Sequence, residues 1–264
     1  MSLIFSAIAP HPPLLIPNIG RDNLKQVKKT CQALENLGND LYAAKPDSLI
    51  IISPHAPLAE DTFLINLAEK YKSSLEAFGD FDTKLEFRSD PELVSNIKMR
   101  AQEEDVPLNL INQPDIDHGA IVPLYFLAKS MPKIPVIPIS FSLLDLKSHF
   151  KFGTALQKEI LKSTKRIAVV ASGDLSHSLS EDAPAGFAKE GGIFDEKLVE
   201  LIKQNNITEI LNLDPALIEK AAECGLRSFI ILLGILNGIN YRPEVLSYEG
   251  PFGVGYLTVN FVIK

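Results

Sequence analysis

Three short apolar runs punctuate the chain, and each stops at a turn rich in proline, glycine, histidine or aspartate. Leu3–Ala9 ends at Pro10-His11-Pro12-Pro13, Ser48–Ile52 at Pro54-His55-Ala56-Pro57, and Arg166–Ala171 at Ser172-Gly173-Asp174. Continuous apolar runs of this length, bounded by turn signals, read as strands buried on both faces. Between them the apolar period lengthens. Leu24, Val27, Cys31, Leu34, Leu37 and Leu41 fall on one helical face of 22–43. Asp90 followed by Pro91 predicts a capped helix over 91–104. Further helices are expected over 119–129, 146–163, 194–204, and from Pro215 into Leu236 with a bend at Gly225. Segment 63–68 reads as a strand or a short helix and 108–111 as a strand. Residues 136–141 read as a strand that Pro138 confines to an edge or a bulge. The tail alternates over 245–249 and 255–262 around Gly250-Pro251-Phe252-Gly253, which predicts an antiparallel pair. Strands that alternate with helices give an α/β class. The expected architecture is a mostly parallel or mixed central sheet with helices on both faces and a C-terminal antiparallel strand pair.

Bulk properties narrow this picture without changing it. A chain of 264 residues with 46% apolar residues can fill one core, and nothing in 1–264 reads as a linker, so a single domain is expected. The net charge of −7 and the lack of a basic tract argue against a nucleic-acid partner. Only two cysteines, Cys31 and Cys224, occur, which suits a reduced, cytoplasmic setting better than a disulfide scaffold. The apolar start lacks a basic n-region and is read as a strand, not a signal peptide. The longest later apolar run, 229–236, is too short to span a membrane, so no membrane partner is expected.

The chemistry gathers at the turns. Of five histidines, four sit in turns marked by proline, glycine or aspartate: His11, His55, His118 in Asp117-His118-Gly119, and His177 in Gly173-Asp174-Leu175-Ser176-His177. Ligands of open α/β sheets bind beyond the carboxyl ends of the strands, so turns far apart in sequence can converge there. Neutral imidazole is the common ligand of borderline divalent metals. His11 and His55 share the pattern small residue, proline, histidine, any residue, proline, and form the leading metal pair. Asp174 and Asp117 lie where they can orient a histidine, or simply cap the next helix. Glu223-Cys224-Gly225 interrupts an apolar helical stretch. Glu223 is either a buried carboxylate in need of a partner or an acid facing water at a helix break. Arg227 either pairs with an anion or snorkels at the surface. His149, within a helix and without such context, reads as a surface residue.

In these turns the sequence resembles the class III extradiol ring-cleavage dioxygenases, specifically their catalytic β subunits, and the related Memo-like proteins. The Pro-His-Pro-Pro turn, the Ser-Pro-His turn, the Asp-His-Gly-x-x-x-Pro segment 117–123 and the Gly-Asp-Leu-Ser-His segment fall in the order of that family. The resemblance implies a non-haem Fe(II) site, with zinc or copper as the alternatives, ligated by His11, His55 and an acid near Glu223. It implies catalytic roles for His177, His118 and Asp174, with His177 moving a proton of a phenolic substrate. The implied partners are a small aromatic substrate and O2, with a homodimer or a small companion subunit. Cys224-Gly225 matches the Memo-like branch and makes Cys224 the rival third ligand. Glu223 is preferred, because O2 activation at Fe(II) is commonly supported by two histidines and one carboxylate. Two other readings stay open: a hydrolase that uses metal-bound water, and a non-catalytic metal-binding protein on the same scaffold.

Overall fold

The computed structural model describes residues 2–264. Its strands in chain order are β1 (Leu3–Ala9), β2 (Ser48–Ser53), β3 (Phe63–Asn66), β4 (Lys70–Ser73), β5 (Glu86–Arg88), β6 (Leu108–Ile111), β7 (Asp115–Ile116), β8 (Val136–Ser140), β9 (Ile167–Ser172), β10 (Tyr241–Glu249) and β11 (Tyr256–Ile263). The helices are α1 (Pro17–Gly20), α2 (Lys28–Ala44), α3 (Pro91–Glu103), α4 (His118–Leu127), α5 (Leu146–Lys162), α6 (Lys189–Lys203), α7 (Ile207–Leu211), α8 (Pro215–Ala221) and α9 (Leu226–Ile235).

Eight strands form one mixed sheet in the order β10-β11-β1-β9-β2-β8-β3-β6. At its centre β1, β9, β2 and β8 run parallel, so their carboxyl ends lie along one rim. The C-terminal pair β10–β11 adds antiparallel to β1, as the alternating tail predicts. A smaller sheet of β5, β4 and β7 was not anticipated; its strands are too short to show a period.

The buried runs divide their side chains between two layers by the two-residue repeat of a strand. Ile50 and Ile52 of β2, with Val169 and Ala171 of β9, face a core that includes Phe152 of α5 and Phe229 of α9. Leu49 and Ile51, with Ala168 and Val170, face Leu34 and Leu37 of α2 and Ile121 of α4. Both faces of the sheet are therefore covered by helices.

Three predicted features are corrected. Pro138 does not lie at an edge, because β8 is interior between β2 and β3. The position is tolerated because the β3 ladder pairs only with Ile139 and Ser140 and never reaches Pro138. The helix expected from Pro215 into Leu236 is two helices, α8 and α9, separated where Ala222 turns left-handed at φ 51°. The predicted helix over 22–43 opens as a 3-10 segment, Arg21–Val27, before the regular helix begins at Lys28. Asp90 caps α3 as expected, accepting from the Leu93 N–H at 3.2 Å.

Helices α5 and α9 cross at two glycines. A Cβ on Gly153 would lie 2.2 Å from the Ile231 carbonyl oxygen, and one on Gly234 would lie 2.4 Å from that of Phe150. Neither obstacle is a side chain that could rotate away. Gly153→Ala is therefore expected to force the helices apart and to cost about 1–3 kcal/mol, the usual range for overpacking. Urea denaturation would show a lower midpoint with an unchanged slope, and an unchanged midpoint would contradict this packing.

Candidate metal centre

His11 lies one proline beyond the end of β1 and is 2% exposed, unusual for an imidazole in a turn. Its backbone N–H donates to Asp174 Oδ1 at 3.0 Å, tying the turn after β1 to the turn after β9. Its ring Nδ1 lies 2.9 Å from Ser172 Oγ, the last residue of β9. That hydroxyl donates its own hydrogen to the Gly119 carbonyl. It therefore accepts from His11, which places the proton on Nδ1 and leaves a lone pair on Nε2.

The other imidazoles face this lone pair. His55 Nε2 lies 2.9 Å from His11 Nε2, and the two rings meet edge to face. His118 is the first residue of α4, and its ring stacks on His55 with centroids 4.3 Å apart. The potential ligand atoms of His11, His55 and His118 all lie within 4.8 Å of one another. Asp117 sets the start of α4, since its side chain accepts from the Ala120 N–H at 3.2 Å. Ser53, at the end of β2, donates to the same carboxylate. His177 accepts no partner from another side chain; its Nδ1 lies 3.0 Å from the Leu175 carbonyl oxygen and can donate to it.

Glu223 and Cys224 part company. Cys224 Sγ lies 3.7 Å from His11 Nε2, and it accepts from the Asp174 N–H at 3.4 Å. Glu223 turns its carboxylate to the open first turn of α9, accepting from the Leu226 N–H at 2.6 Å. The expectation that Glu223 stands beside the histidines is thus not met, and its rival Cys224 stands there instead. The reason is twofold. Free N–H groups at a helix start attract a carboxylate. Adjacent side chains near a helix start also point in widely different directions.

Burial controls the charge of the cluster. It pushes His11 well below the ordinary histidine value, and the neighbouring His55, His118 and His177 push it further down. Burial also lowers His55, His118 and His177. It raises Asp174 to about 7 against the pull of the His11 N–H, and it raises the Cys224 thiol well above its usual value. At neutral pH the four rings are neutral and offer lone pairs.

Two groups escaped the sequence reading. Ser172 and Ser53 each end a buried strand and each orient a site residue, but a serine after an apolar run carries no distinct signal. Phe78 packs edge-on to His118 with centroids 5.1 Å apart, from a 3-10 turn that no period announces. His149 is corrected outright. It is fully buried against Phe63 at 5.1 Å, with its Nδ1 2.7 Å from the Asp145 carbonyl oxygen, and it belongs to the core.

Comparison with known proteins matches residues 6–259 to the family described as the catalytic LigB subunit of aromatic ring-opening dioxygenase. Protein CA_C1420 of Clostridium acetobutylicum is 33% identical over 97% of this chain, which spans only 57% of that relative's length. The 2-aminophenol 1,6-dioxygenase beta subunit of a Pseudomonas species is 26% identical, over 98% of this chain and 93% of its own. The 3,4-dihydroxyphenylacetate 2,3-dioxygenase of Escherichia coli is 24% identical, over 86% and 83% respectively. The crystal structure of protein JW3007 from Escherichia coli K12 superposes with a TM-score of 0.71 at 18% identity, covering 97% of this chain and 99% of that one, and speaks to the fold.

The position of Cys224 depends on a backbone contact. A Cβ on Gly225 would lie 2.5 Å from Phe229 Cζ and 2.9 Å from the Asp174 carbonyl oxygen. Gly225→Ala is expected to cost about 1–3 kcal/mol of stability and to displace the thiol from His11, which would weaken metal binding with Cys224 as a ligand. Calorimetric titration with a divalent metal, on protein shown by circular dichroism to be folded, checks it; an unchanged affinity would contradict the assigned geometry.

Proposed function

The chain belongs to the family of catalytic subunits of aromatic ring-opening dioxygenases, and on that footing we propose that it opens a catechol-like ring with O2 at a mononuclear Fe(II) centre held by His11, His55 and Cys224. The observation that carries the reading is the His11 lone pair. Ser172 fixes the ring so that Nε2 is unprotonated, and that atom faces His55 Nε2 and the Cys224 thiol. Two nitrogen donors and a sulfur donor, gathered from three separate turns, suit a borderline divalent metal. When bound, Fe(II) would supply Lewis acidity and adjacent positions for the ring and for O2.

The remaining residues have defined tasks in this reading. His177, neutral through burial and fixed through the Leu175 carbonyl, accepts a phenolic proton at Nε2. His118 and Phe78 present a flat edge against which an aromatic ring can lie. Asp174 acts through His11, holding its backbone in place. A homodimer or a companion subunit is a further part of the proposal, consistent with the subunit names of the relatives.

A second reading rests on Cys224. A thiolate favours zinc or copper over iron and is itself open to oxidation near O2. A Memo-like metal-binding protein, or a zinc hydrolase, fits that preference.

Anaerobically purified, Fe(II)-loaded protein should consume oxygen in equimolar ratio to the catechol it opens. Metal binding without oxygen uptake across a catechol panel would favour the second reading. His11→Ala and His55→Ala should each lose most bound metal by elemental analysis while keeping the native circular dichroism; full occupancy in both would sink the ligand assignment. His177→Ala should keep the metal and lose turnover. Because burial holds the His177 pKa below the ordinary histidine value, its neutral form persists at lower pH, so the acidic limb of kcat/KM should fall below about 6.5, the usual value for a free imidazole. A limb above that value, or metal loss in His177→Ala, would remove its proton role.

A further inference from the structure

The segment that carries Cys224 has a second side. Glu223 lines a cavity of about 590 Å³ between the starts of α5 and α9 and the short helices α7 and α8. None of the four site histidines lines it. One wall is apolar, made by Leu211, Leu213, Pro215 and Ile218, and the volume lies in the range of small-molecule sites.

Arg227 is the group in this cavity with a hydrogen-bond donor that the fold leaves unmet. It is half-buried, and its Nε is shielded from solvent with no hydrogen-bond partner. Its guanidinium lies over the Phe141 ring at 5.9 Å, which contributes no acceptor in the ring plane. Three carboxylates border the cavity without forming an ion pair with it. Asp145 accepts from the Ser148 N–H at 2.7 Å, Glu223 accepts from the Leu226 N–H at 2.6 Å, and Glu219 is exposed. Lys147 adds a second cation at the rim.

We propose that this cavity is a binding site for a small apolar carboxylate, with the acid group on the Arg227 guanidinium and the hydrocarbon body against Leu211, Leu213 and Ile218. The planar fork of a guanidinium matches a carboxylate in two parallel hydrogen bonds. The acidic rim disfavours a dianion, and the apolar wall disfavours a wholly polar ligand. The cavity shares the Glu223–Cys224 segment with the metal centre but none of its histidines, and the proposal does not depend on the ring-opening reading.

The test uses 4-phenylbutyrate and the neutral 4-phenylbutanol as probes, titrated calorimetrically into the full chain as purified. The acid is expected to bind at one saturable site about tenfold more tightly than the alcohol, the scale of a hydrogen bond to a charged group. Arg227→Met should erase that difference, and Arg227→Lys should keep part of it. His11→Ala should bind the acid as the wild-type chain does. Equal affinity for acid and alcohol in the wild type overturns the proposal whether or not the variants fold. So does a full difference surviving in folded Arg227→Met. Loss of binding in His11→Ala would place the acid on the metal centre instead, which also overturns it.

Discussion

Burial of a neutral imidazole at the end of β1 is the constraint on which the rest of the site depends. A charged ring there would lack solvation, so His11 is held neutral, and its proton is consigned to the Ser172 side of the ring. The same desolvation acts on the groups around it. It pushes the other histidines down and Asp174 up, so that the cluster gathers lone pairs without gathering charge. Four imidazoles can therefore sit close together without mutual repulsion. In the proposed metal-bound form a divalent cation would reverse this balance, since it would reward the lone pairs and draw the proton from a thiol that is otherwise reluctant to lose it.

The sheet explains why these groups meet. The parallel strands β1, β9, β2 and β8 end along one rim, and each sends a turn over it. Helices α4, α5 and α9 begin near the same rim, bringing His118, Asp145 and the Glu223–Cys224 segment to it. Close backbone contact draws the last of these in. A Cβ on Gly173 would lie 2.2 Å from Gly225 Cα, so only glycine lets the turn after β9 meet the start of α9. The break between α8 and α9 then sends consecutive side chains two ways, Cys224 to the histidines and Glu223 to the Arg227 cavity.

Much of this was legible in the sequence where a local signal was strong. The continuous runs at β1, β2 and β9, the cap at Asp90 and the alternating tail each carry a period or a stop that physics ties to one structure. The turns of His11, His55 and His177 were legible for the same reason, as they follow β1, β2 and β9, whose carboxyl ends share one rim, whereas His118 opens α4 after a strand of the smaller sheet. What stayed hidden was set by tertiary contact. His149 lies within a helix with nothing local to mark it as buried, and only the packing of Phe63 reveals it. The choice between Glu223 and Cys224 turned on a helix start at Leu226 that the apolar run from Pro215 to Leu236 masked. Pro138 was read from its missing N–H alone, while its tolerance depends on how far a neighbouring strand extends.

The chemistry of the centre turns on what surrounds the His11 lone pair. X-ray absorption on the zinc-loaded protein reports the donor atoms directly. A metal–sulfur distance of about 2.3 Å, typical of a zinc thiolate, together with nitrogen neighbours that disappear in His11→Ala and His55→Ala, is the predicted result. A spectrum with nitrogen and oxygen neighbours only, unchanged in Cys224→Ser, would contradict it.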